Sequence, residues 1–448
     1  MNIVRSIIFV ILMLGVLATL HELGHYWVAR LLKIKVFEVS IFVGPKLLRW
    51  KHKGVDFSLR MIPVGAYVRF TDIDEEGYVV DSKDPDLLIN QPRFKRLLVS
   101  LAGPVMNLAL GILIFLIMFW VSGFTSTDIG APVDATQTAV VAAEYTPGDT
   151  IKAINGVPVY TAYDLYFELD SSDPTKEMVL TLKSKETGKK YDVTLTPVIR
   201  SKPMMLITVE SKEAENDYKG WKVYTVDEKQ NNGNPILKPG DYVTHINGKS
   251  VADDDIEEFI FNITDEKINI RYIRDGKEYE DELIPKYTDY VSARGIRLTP
   301  YNIDSVQNFF KALGYAAKMP LSIGNITIRG VKDIIAGKVK AYNLVSGPIG
   351  ITTMVNEVVA DEQDTVADKI YVLIMLSAVI SIALAFSNLL PIPGLDGIQI
   401  IFIVVEMVIG RKLSEKAEGR LTIVGFVLII LLLILAFVSD ILRIIFGY

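Results

Sequence analysis

The sequence contains no cysteine and only four histidines in 448 residues. The lack of cysteine excludes disulfide bonds, thiolate catalysis and Cys-ligated zinc, so any bound metal must be held by His, Asp or Glu. Basic residues are scattered and the formal net charge is -6, so the chain lacks the basic face of a nucleic-acid-binding protein. Half of the residues are hydrophobic and the mean hydropathy is +0.31, which together indicate a membrane protein with a sizeable aqueous part.

Four stretches have few or no charged residues, namely 6–20, 97–123, 370–395 and 421–439. A helix needs roughly 20 residues to cross the hydrocarbon core, and the last three stretches are long enough. The first is long enough only if its helix continues through HELGHYWVA. Otherwise its length suits a secretory signal sequence, although no cleavage signature of the A-x-A type follows it. We therefore expect a polytopic α-helical membrane protein with four transmembrane helices.

The distribution of Lys and Arg predicts the orientation of these helices. Lys and Arg favour the cytoplasmic side in short loops, and they are dense in segment 30–96 and in the loop between the last two helices. Both loops are therefore expected in the cytoplasm, with the termini and segment 125–367 outside. The expected location is the inner (plasma) membrane of a cell.

The outer segment contains a repeat. TPGDTIKAINGVPVYTAYDL, from Thr146, and KPGDYVTHINGKSVADDDI, from Lys238, share a Pro-Gly-Asp turn, a strand and an Asn-Gly turn typical of hairpins. This pattern resembles bacterial PDZ domains, which bind a peptide as an added strand at a sheet edge. Two extracytoplasmic, β-rich, PDZ-like domains are predicted; the alternative is two unrelated β-rich domains with similar turns.

Two further segments show regular patterns. LLRWKHKGVDFSLRMIPVGAYVRF, from Leu47, alternates apolar and polar residues around His-Lys-Gly and predicts a β-hairpin that could touch the bilayer. It would either pair with an extended peptide or only seal the cytoplasmic face of a cavity. Segment 301–356 contains SVQNFFKALGYAAKM and GVKDIIAGKV, which predict amphipathic helices. These helices would lie on the outer membrane surface or pack against the PDZ-like pair.

The H-E-x-x-H pattern formed by His21, Glu22 and His25 is the strongest chemical signal. On a helix it places two imidazoles on one face, where both can bind one zinc ion while the glutamate reaches the water on it. The alternative is a pair of packed histidines without metal. That alternative must also explain a glutamate inside an apolar helix, where an ionisable group is costly without a partner or a function.

A catalytic zinc usually has three protein ligands, and the third is expected at the same depth in the membrane. FSNLLPIPGLDG places Asp396 at the end of an apolar run that Pro391, Pro393 and Gly394 should break. Broken backbone within a membrane is tolerated where it is buried in protein or lines a water-filled cavity. His21 and Asp396 both reach the cytoplasmic end of their helices, so we expect them to meet. Otherwise Asp396 would be an ordinary aspartate that ends a helix at the interface.

Together, HELGH, AGPVMN, NLLPIPGLDG, VGPKLLRW and the external PDZ-like pair resemble the site-2 protease family of intramembrane zinc metalloproteases. The most similar branch is that of the bacterial regulator-of-sigma-E protease, with four membrane helices and two PDZ domains. The resemblance implies regulated intramembrane proteolysis of a single-span membrane protein. The substrate would be an anti-sigma factor already trimmed outside by an upstream site-1-type protease, or a remnant signal peptide.

The resemblance also implies roles for individual residues. His21, His25 and Asp396 would hold one zinc ion, and Glu22 would act as general base while zinc-activated water attacks the scissile carbonyl.

Two asparagines match the motifs as well. Asn388 would handle substrate near the site or, alternatively, bond to the broken backbone. Asn107 matches the second-helix motif, although packing by Gly103 and Pro104 explains that stretch equally. The sequence departs from the family at Ile398, where a second glycine often follows Asp-Gly.

Other classes of function are weaker. A catalytically inactive zinc-binding membrane scaffold that presents PDZ domains would not need Glu22, and a transporter should show an inverted repeat. The expected partners are single-span substrates, the upstream protease, peptide or protein ends at the PDZ-like domains, and the lipid bilayer. The predicted organisation is a first transmembrane helix with HExxH (1–30), a cytoplasmic loop with the β-hairpin (31–96), a second transmembrane helix (97–123), two PDZ-like domains (124–205 and 206–300), an amphipathic segment (301–368), a third transmembrane helix with NxxPxPxxDG (369–405), a cytoplasmic loop (406–420) and a fourth transmembrane helix (421–448).

Overall fold

The computed structural model of the chain describes residues 2–71, 83–130, 145–173, 175–196, 199–209, 218–253, 256–291, 297–337, 347–361, 365–392 and 394–411, with scattered residues between 423 and 441. The chain forms two compact units. The helical unit comprises Met1–Thr127, Pro158–Phe167 and Pro300–Tyr448, and the β-rich unit comprises Asp128–Val157 and Glu168–Thr299.

The helices in chain order are α1 (Asn2–Leu31), α2 (Arg93–Ser122), α3 (Ala162–Ser171), α4 (Ile256–Phe261), α5 (Val306–Ile335), α6 (Pro348–Ala360), α7 (Val366–Asn388) and α8 (Asp396–Ile409). The strands are β1 (Glu38–His52), β2 (Val55–Arg69), β3 (Phe124–Ile129), β4 (Thr150–Ile154), β5 (Val157–Pro158), β6 (Met178–Lys183), β7 (Lys190–Leu195), β8 (Ile199–Met204), β9 (Ile207–Val209), β10 (Trp221–Val226), β11 (Tyr242–Ile246), β12 (Lys249–Ser250), β13 (Ile268–Arg274), β14 (Lys277–Leu283), β15 (Lys286–Val291) and β16 (Leu298–Tyr301).

Three of the described helices, α1, α2 and α7, are long and apolar enough to cross a membrane. α1 runs unbroken through HELGHYWVA, so the first apolar run does reach a spanning length. It contains no proline, and its Gly24 allows close approach to α2, since an added Cβ would lie 2.6 Å from the Ala102 carbonyl oxygen. The predicted fourth helix, 421–448, lies mostly outside the described residues, and the count of four spans stays a prediction.

Small residues bring α2, α5 and α7 close together. Phe115 of α2, Ala312 of α5 and Ile382 of α7 are fully buried in one cluster. A Cβ added to Gly111 of α2 would lie 2.5 Å from Ile382. Helices in lipid gain little from hydrophobic burial against one another and depend on such close packing, so this cluster holds the bundle together.

β1 and β2 form the predicted hairpin, with its turn at Lys53-Gly54. Both turn residues have positive φ, 49° and 82°, as a two-residue type I′ turn requires. Both strands bend midway. Residues 38–41 therefore lie between residues 56–59 and residues 66–69, and the latter occupy an edge of the sheet.

The third apolar run breaks where its prolines predicted. α7 ends at Asn388, and a separate helix, α8, begins at Asp396. Pro391 lacks an N–H, and Gly394 has a φ of 100°, a conformation that side chains disfavour. Asp396 therefore starts a helix, whereas the sequence had placed it at the end of one. Pro393 lies outside the described residues.

The β-rich unit contains the second copy of the predicted repeat and the first part of the first copy, up to Val157. β4 and β11 each follow a Pro-Gly-Asp turn, and each is joined to a short strand, β5 or β12, by an Asn-Gly turn. Both Asn-Gly turns have positive φ at both positions, so the turn chemistry read from the sequence is confirmed. A helix and the hairpin β6-β7 or β13-β14 follow in each copy. The assignment of these copies as PDZ domains stays a prediction.

The start of α3 belongs to the helical unit, although it lies within the predicted domain 124–205. Asp164 is buried, and its carboxylate accepts hydrogen bonds from Ser322 Oγ at 2.7 Å and Asn325 Nδ2 at 3.2 Å, both on α5. α5 itself is one helix that includes residues 306–319 of the first predicted amphipathic stretch and residues 330–335 of the second. Residues 338 and 339 of the second stretch lie outside the described residues. Its apolar residues on the other face, among them Phe310 and Ile328, are exposed.

Candidate metal centre

α1 presents His21 and His25 on one helix face, one turn apart. Both residues are buried, with 7% and 6% of their surface exposed. Their Nε2 atoms are 3.2 Å apart, and the rings meet edge to face with centroids separated by 4.9 Å. The i, i+4 spacing therefore directs both Nε2 atoms to the same point, as expected from the sequence.

The first residue of α8 approaches the same point. Asp396 Oδ2 lies 2.9 Å from His21 Nε2 and 3.4 Å from His25 Nε2. Among the described residues, these three form a group whose donor atoms all lie within 4.8 Å of one another. Residues from opposite ends of the chain thus meet in one cluster, because the break after α7 aims the start of α8 at α1.

The size of the cluster suits zinc. Two ligands about 2.1 Å from a tetrahedral ion are about 3.4 Å from each other. The three distances between donor atoms, 2.9, 3.2 and 3.4 Å, are close to this spacing. Two imidazole nitrogens and one carboxylate oxygen are also typical donors of a catalytic zinc site, which leaves a fourth position open.

Hydrogen bonds at the other ring nitrogens also fit this arrangement. His25 Nδ1 donates to the Val99 carbonyl oxygen at 2.7 Å, so its Nε2 keeps a lone pair for a metal. His21 Nδ1 lies 3.3 Å from the amide nitrogen of Asn107, whose Oδ1 is buried without a hydrogen-bond partner. An asparagine amide fits the same space in two orientations that differ by 180°, and the hydrogen-bond partners decide between them. Rotating the Asn107 amide by 180° gives Oδ1 a donor, the Nδ1–H of His21, and frees Nε2 of that ring.

Glu22 lies beside the cluster without being part of it. Its Oε2 accepts a hydrogen bond from the main-chain N–H of Val68, 3.0 Å away, on the edge strand of the hairpin. A carboxylate held in this way next to three side chains that could hold a metal ion suits proton transfer to or from a water in the open position.

Comparisons with known proteins agree with this geometry. The sequence model of peptidase family M50 matches residues 9–432. The chain belongs to peptidase family M50. The resemblance to the site-2 proteases is therefore confirmed.

This M50 peptidase has bacterial relatives that match it over almost their full length. A Neisseria meningitidis protein is 28% identical over 99% of each chain. Proteins of Xylella fastidiosa and Clostridium acetobutylicum are 29% and 26% identical over 98% and 97% of each chain, respectively. Each of the three carries the provisional name of zinc metalloprotease.

Gly103 of α2 is essential to the geometry of the M50 site. A Cβ at this position would lie 2.3 Å from His25 Nε2 and 2.6 Å from His21 Nε2, closer than any real contact. The backbone of α2 therefore forms one wall of the metal centre. From the sequence, packing by Gly103 was one explanation of AGPVMN. The structure shows that Gly103 packs against the two histidines.

Both predicted asparagines lie at His21. Asn388, the last residue of α7, has its amide nitrogen 3.4 Å from His21 Nδ1. Asn107 lies at the same nitrogen, and its main-chain carbonyl accepts a hydrogen bond from Ser381 Oγ of α7 at 2.8 Å. Side chains from α2 and α7 therefore both contact the His21 ring. This contact gives each asparagine a place in the structure without a substrate.

The departure at Ile398 fits the local backbone. Gly397 must lack a side chain, because a Cβ there would lie 2.2 Å from the Leu390 carbonyl oxygen. Ile398 continues α8 and lines a cavity of about 370 Å³ together with Ser100 and Gly394. One glycine after Asp396 is therefore enough for the turn into α8.

The sequence did not predict the hydrogen bonds that main-chain atoms make to the side chains of the site. The Val68 N–H and the Val99 carbonyl act through backbone atoms, which leave no residue-type signal. Gly103 carried a signal, since a glycine inside an apolar helix often marks a close approach. Its contact with the histidines depended on the crossing of α1 and α2, which the sequence does not specify.

Proposed function

We propose that this M50 peptidase is a zinc-dependent intramembrane endopeptidase that cleaves single-span membrane proteins. His21, His25 and Asp396 would hold one zinc ion, and Glu22 would be the general base. The observation that carries the proposal is the convergence of these three donor atoms beside Glu22, between helices apolar enough to lie in a bilayer.

A zinc ion held by these ligands would supply Lewis acidity towards water and towards the scissile carbonyl. Glu22 accepts the proton of the attacking water and then donates it to the leaving amine. The Val68 N–H fixes the Glu22 side chain during both transfers. The cavity whose lining includes Ser100, Gln399 and Gly394 would give water room beside the broken backbone.

A helical substrate must unwind before its carbonyls can react, because they are occupied by bonds within the helix. The edge of β2 is suited to replace those bonds. It runs along α1, with Val68 at Glu22 and the Pro63 carbonyl oxygen against Gly15. Outward-facing main-chain groups on this edge can pair with an extended peptide. The hairpin would then bind substrate as well as seal the cavity. Asn388, beside the cluster, would steady the unwound strand or the oxyanion.

The proposed physiological role follows the family resemblance. The protein would lie in the inner (plasma) membrane with its β-rich unit outside and its metal centre towards the cytoplasm. It would cut an anti-sigma factor trimmed by an upstream site-1-type protease, or a remnant signal peptide. The PDZ-like repeats would bind peptide or protein ends and select substrates whose outer part has already been removed.

The test uses the purified full chain in proteoliposomes with single-span candidate substrates. Wild-type protein should cleave them, and a zinc chelator should abolish cleavage. Glu22→Gln should lose at least about 10²-fold in rate while retaining zinc, since the amide cannot accept a proton. The matched control is Glu357→Gln, at an exposed position on α6, which should cleave normally.

The same experiment separates the alternative function. A zinc-binding scaffold that presents PDZ-like domains would retain zinc and show no cleavage that depends on Glu22. If wild-type and Glu22→Gln proteins behave alike on every substrate, the proposed protease function is wrong. Substrate selection is tested separately, by comparing one substrate with and without its outer domain; equal rates would contradict selection by size.

A further inference from the structure

A wide cleft of about 690 Å³ lies between the end of α1 and the turn of the hairpin, on a side of α1 that the metal centre does not use. Its lining includes the basic residues Arg30, His52 and Lys53. The aromatic residues Tyr26, Trp27 and Phe57 form its walls. We call this the basic cleft.

The cations of the basic cleft differ from those elsewhere on the same hairpin. Arg49 and Lys51 both lie within salt-bridge distance of Asp56, at 2.6 and 3.7 Å. In the part of the chain that the structure describes, Arg30 and Lys53 have no such carboxylate. The hairpin therefore neutralises its other cations and leaves those of the cleft available to an external anion.

Lys53 occupies a position that its side chain does not favour. Its φ of 49° lies in the left-handed region, which Asn, Asp and Gly adopt far more readily in a hairpin turn. A lysine at this position gives up turn stability. Such a residue is a candidate for function, and here the exposed lysine lines the cleft.

The surroundings of the basic cleft are those of a membrane interface. It lies at the end of α1, a membrane-spanning helix, where Trp27 and Leu31 are 47% and 81% exposed. Trp and Tyr favour the level of the lipid headgroups, and Arg near a helix end extends its charged group towards that level. An anion that reaches this cleft would therefore come from the bilayer more readily than from bulk solvent.

We propose that the basic cleft binds the phosphate headgroup of an anionic glycerophospholipid. Arg30 and Lys53 would contact the phosphate, and Trp27 and Tyr26 would lie against the glycerol backbone and the first part of the acyl chains. Cleft volumes of several hundred Å³ are typical of sites for ligands of this size. A bound lipid would fasten the hairpin to α1, and the same hairpin positions Glu22 through Val68.

The experiment measures which lipid stays with the full-length protein. Wild-type protein is reconstituted in nanodiscs of phosphatidylglycerol and phosphatidylcholine in equal parts, extracted gently, and analysed for bound lipid by native mass spectrometry. Wild-type protein should retain phosphatidylglycerol selectively. Lys53→Asn and Arg30→Gln should each lower that retention about fivefold. Lys53→Asn should also unfold at the same or a higher temperature, because asparagine suits the turn.

Lys51→Gln is the matched control, since it removes the same charge from the same hairpin outside the cleft. It should retain phosphatidylglycerol like wild type. An equal loss in Lys51→Gln would mean diffuse attraction to an anionic surface and would overturn the proposal, as would equal retention of phosphatidylcholine. Glycerol phosphate in detergent is the third arm. If it binds as tightly as the lipid, the cleft is a site for free phosphate esters and the lipid assignment is wrong.

Discussion

The Glu22 carboxylate and the main-chain N–H of Val68 are joined by a hydrogen bond of 3.0 Å. One partner belongs to α1 and the other to the edge of a β-sheet 46 residues later in the chain. The proposed general base is therefore held by the element that we expect to hold the substrate. Any movement of the hairpin edge would also move Glu22.

Val68→Pro removes this N–H and should slow cleavage. A hydrogen bond to a charged group contributes about 1.5–3 kcal/mol, so the rate should fall by about tenfold or more while zinc is retained. Because Val68 acts here through Glu22, kcat should fall and KM should change little. In a Glu22→Gln background, Val68→Pro should have no further effect on residual cleavage. Additive losses in the double variant would show that Val68 acts otherwise.

Asp396→Asn should weaken metal binding strongly, since it replaces the proposed charged ligand by a neutral amide. Even groups one step removed from a metal change its affinity by 10–100-fold, so a loss of at least about 10²-fold is expected. Asp368→Asn is the control, because Asp368 also lies in the first turn of an apolar helix but only caps α7. Zinc content after dialysis against a weak chelator distinguishes the two. Normal zinc content in Asp396→Asn would contradict the ligand assignment.

Gly103→Ala should disrupt the metal centre, because its methyl group would overlap both imidazoles. Overpacking of this kind costs about 1–3 kcal/mol, and the histidines must move to accommodate it. Gly314→Ala is the matched change on α5, where an added Cβ meets nothing within 4 Å. That control should be neutral or stabilise α5 by about 0.5–1 kcal/mol. Zinc content and thermal unfolding should separate the two variants; equal zinc content would rule out close packing at Gly103.

Glu38 should make the stability of the hairpin depend on pH. Burial alone would raise its pKa, but hydrogen bonds from Lys46, Arg60 and Ser58 lower the pKa below its usual value. The folded hairpin therefore gains stability above the ordinary pKa of a glutamate, about 4.3, and loses it as the pH falls further.

Hydrogen exchange of residues 38–69, measured on metal-free protein between about pH 6 and pH 3, checks this dependence. Protection in wild-type protein should decline across the lower part of the range. Glu38→Gln should be less protected at the upper end and should change less with pH. Parallel curves for the two proteins would refute the role of Glu38.

Local patterns predicted much of the molecule because each rests on interactions between near neighbours. HELGH requires only the periodicity of one helix to align His21 and His25. Lys53-Gly54 and the two Asn-Gly pairs specify hairpin turns through φ alone. Pro391 prevents α7 from continuing regardless of what surrounds it, because it has no main-chain N–H to donate.

Features that depend on contacts between residues far apart in the sequence could not be predicted in the same way. The sequence did not show that Asp396 begins a helix, because the direction of the chain after the break depends on how α8 meets α2. The sequence also gave no sign that the start of α3, within the first copy of the repeat, would be hydrogen-bonded to α5 through Asp164. The bend midway along the hairpin places residues 66–69 at its edge, where they pair with residues 38–41. The alternation of apolar and polar residues in the sequence does not specify this pairing.

The course of the β2 edge along α1, from Gly15 to Glu22, sets a geometric demand on any peptide that pairs with it. That stretch of α1 is about 10 Å long, which about seven helical residues fill. The same seven residues drawn out as a strand reach about 23 Å. The peptide is therefore about 13 Å longer when it is extended, and one of its ends must move out of the membrane by that length. A substrate with bulky folded domains on both sides of the membrane could move neither end.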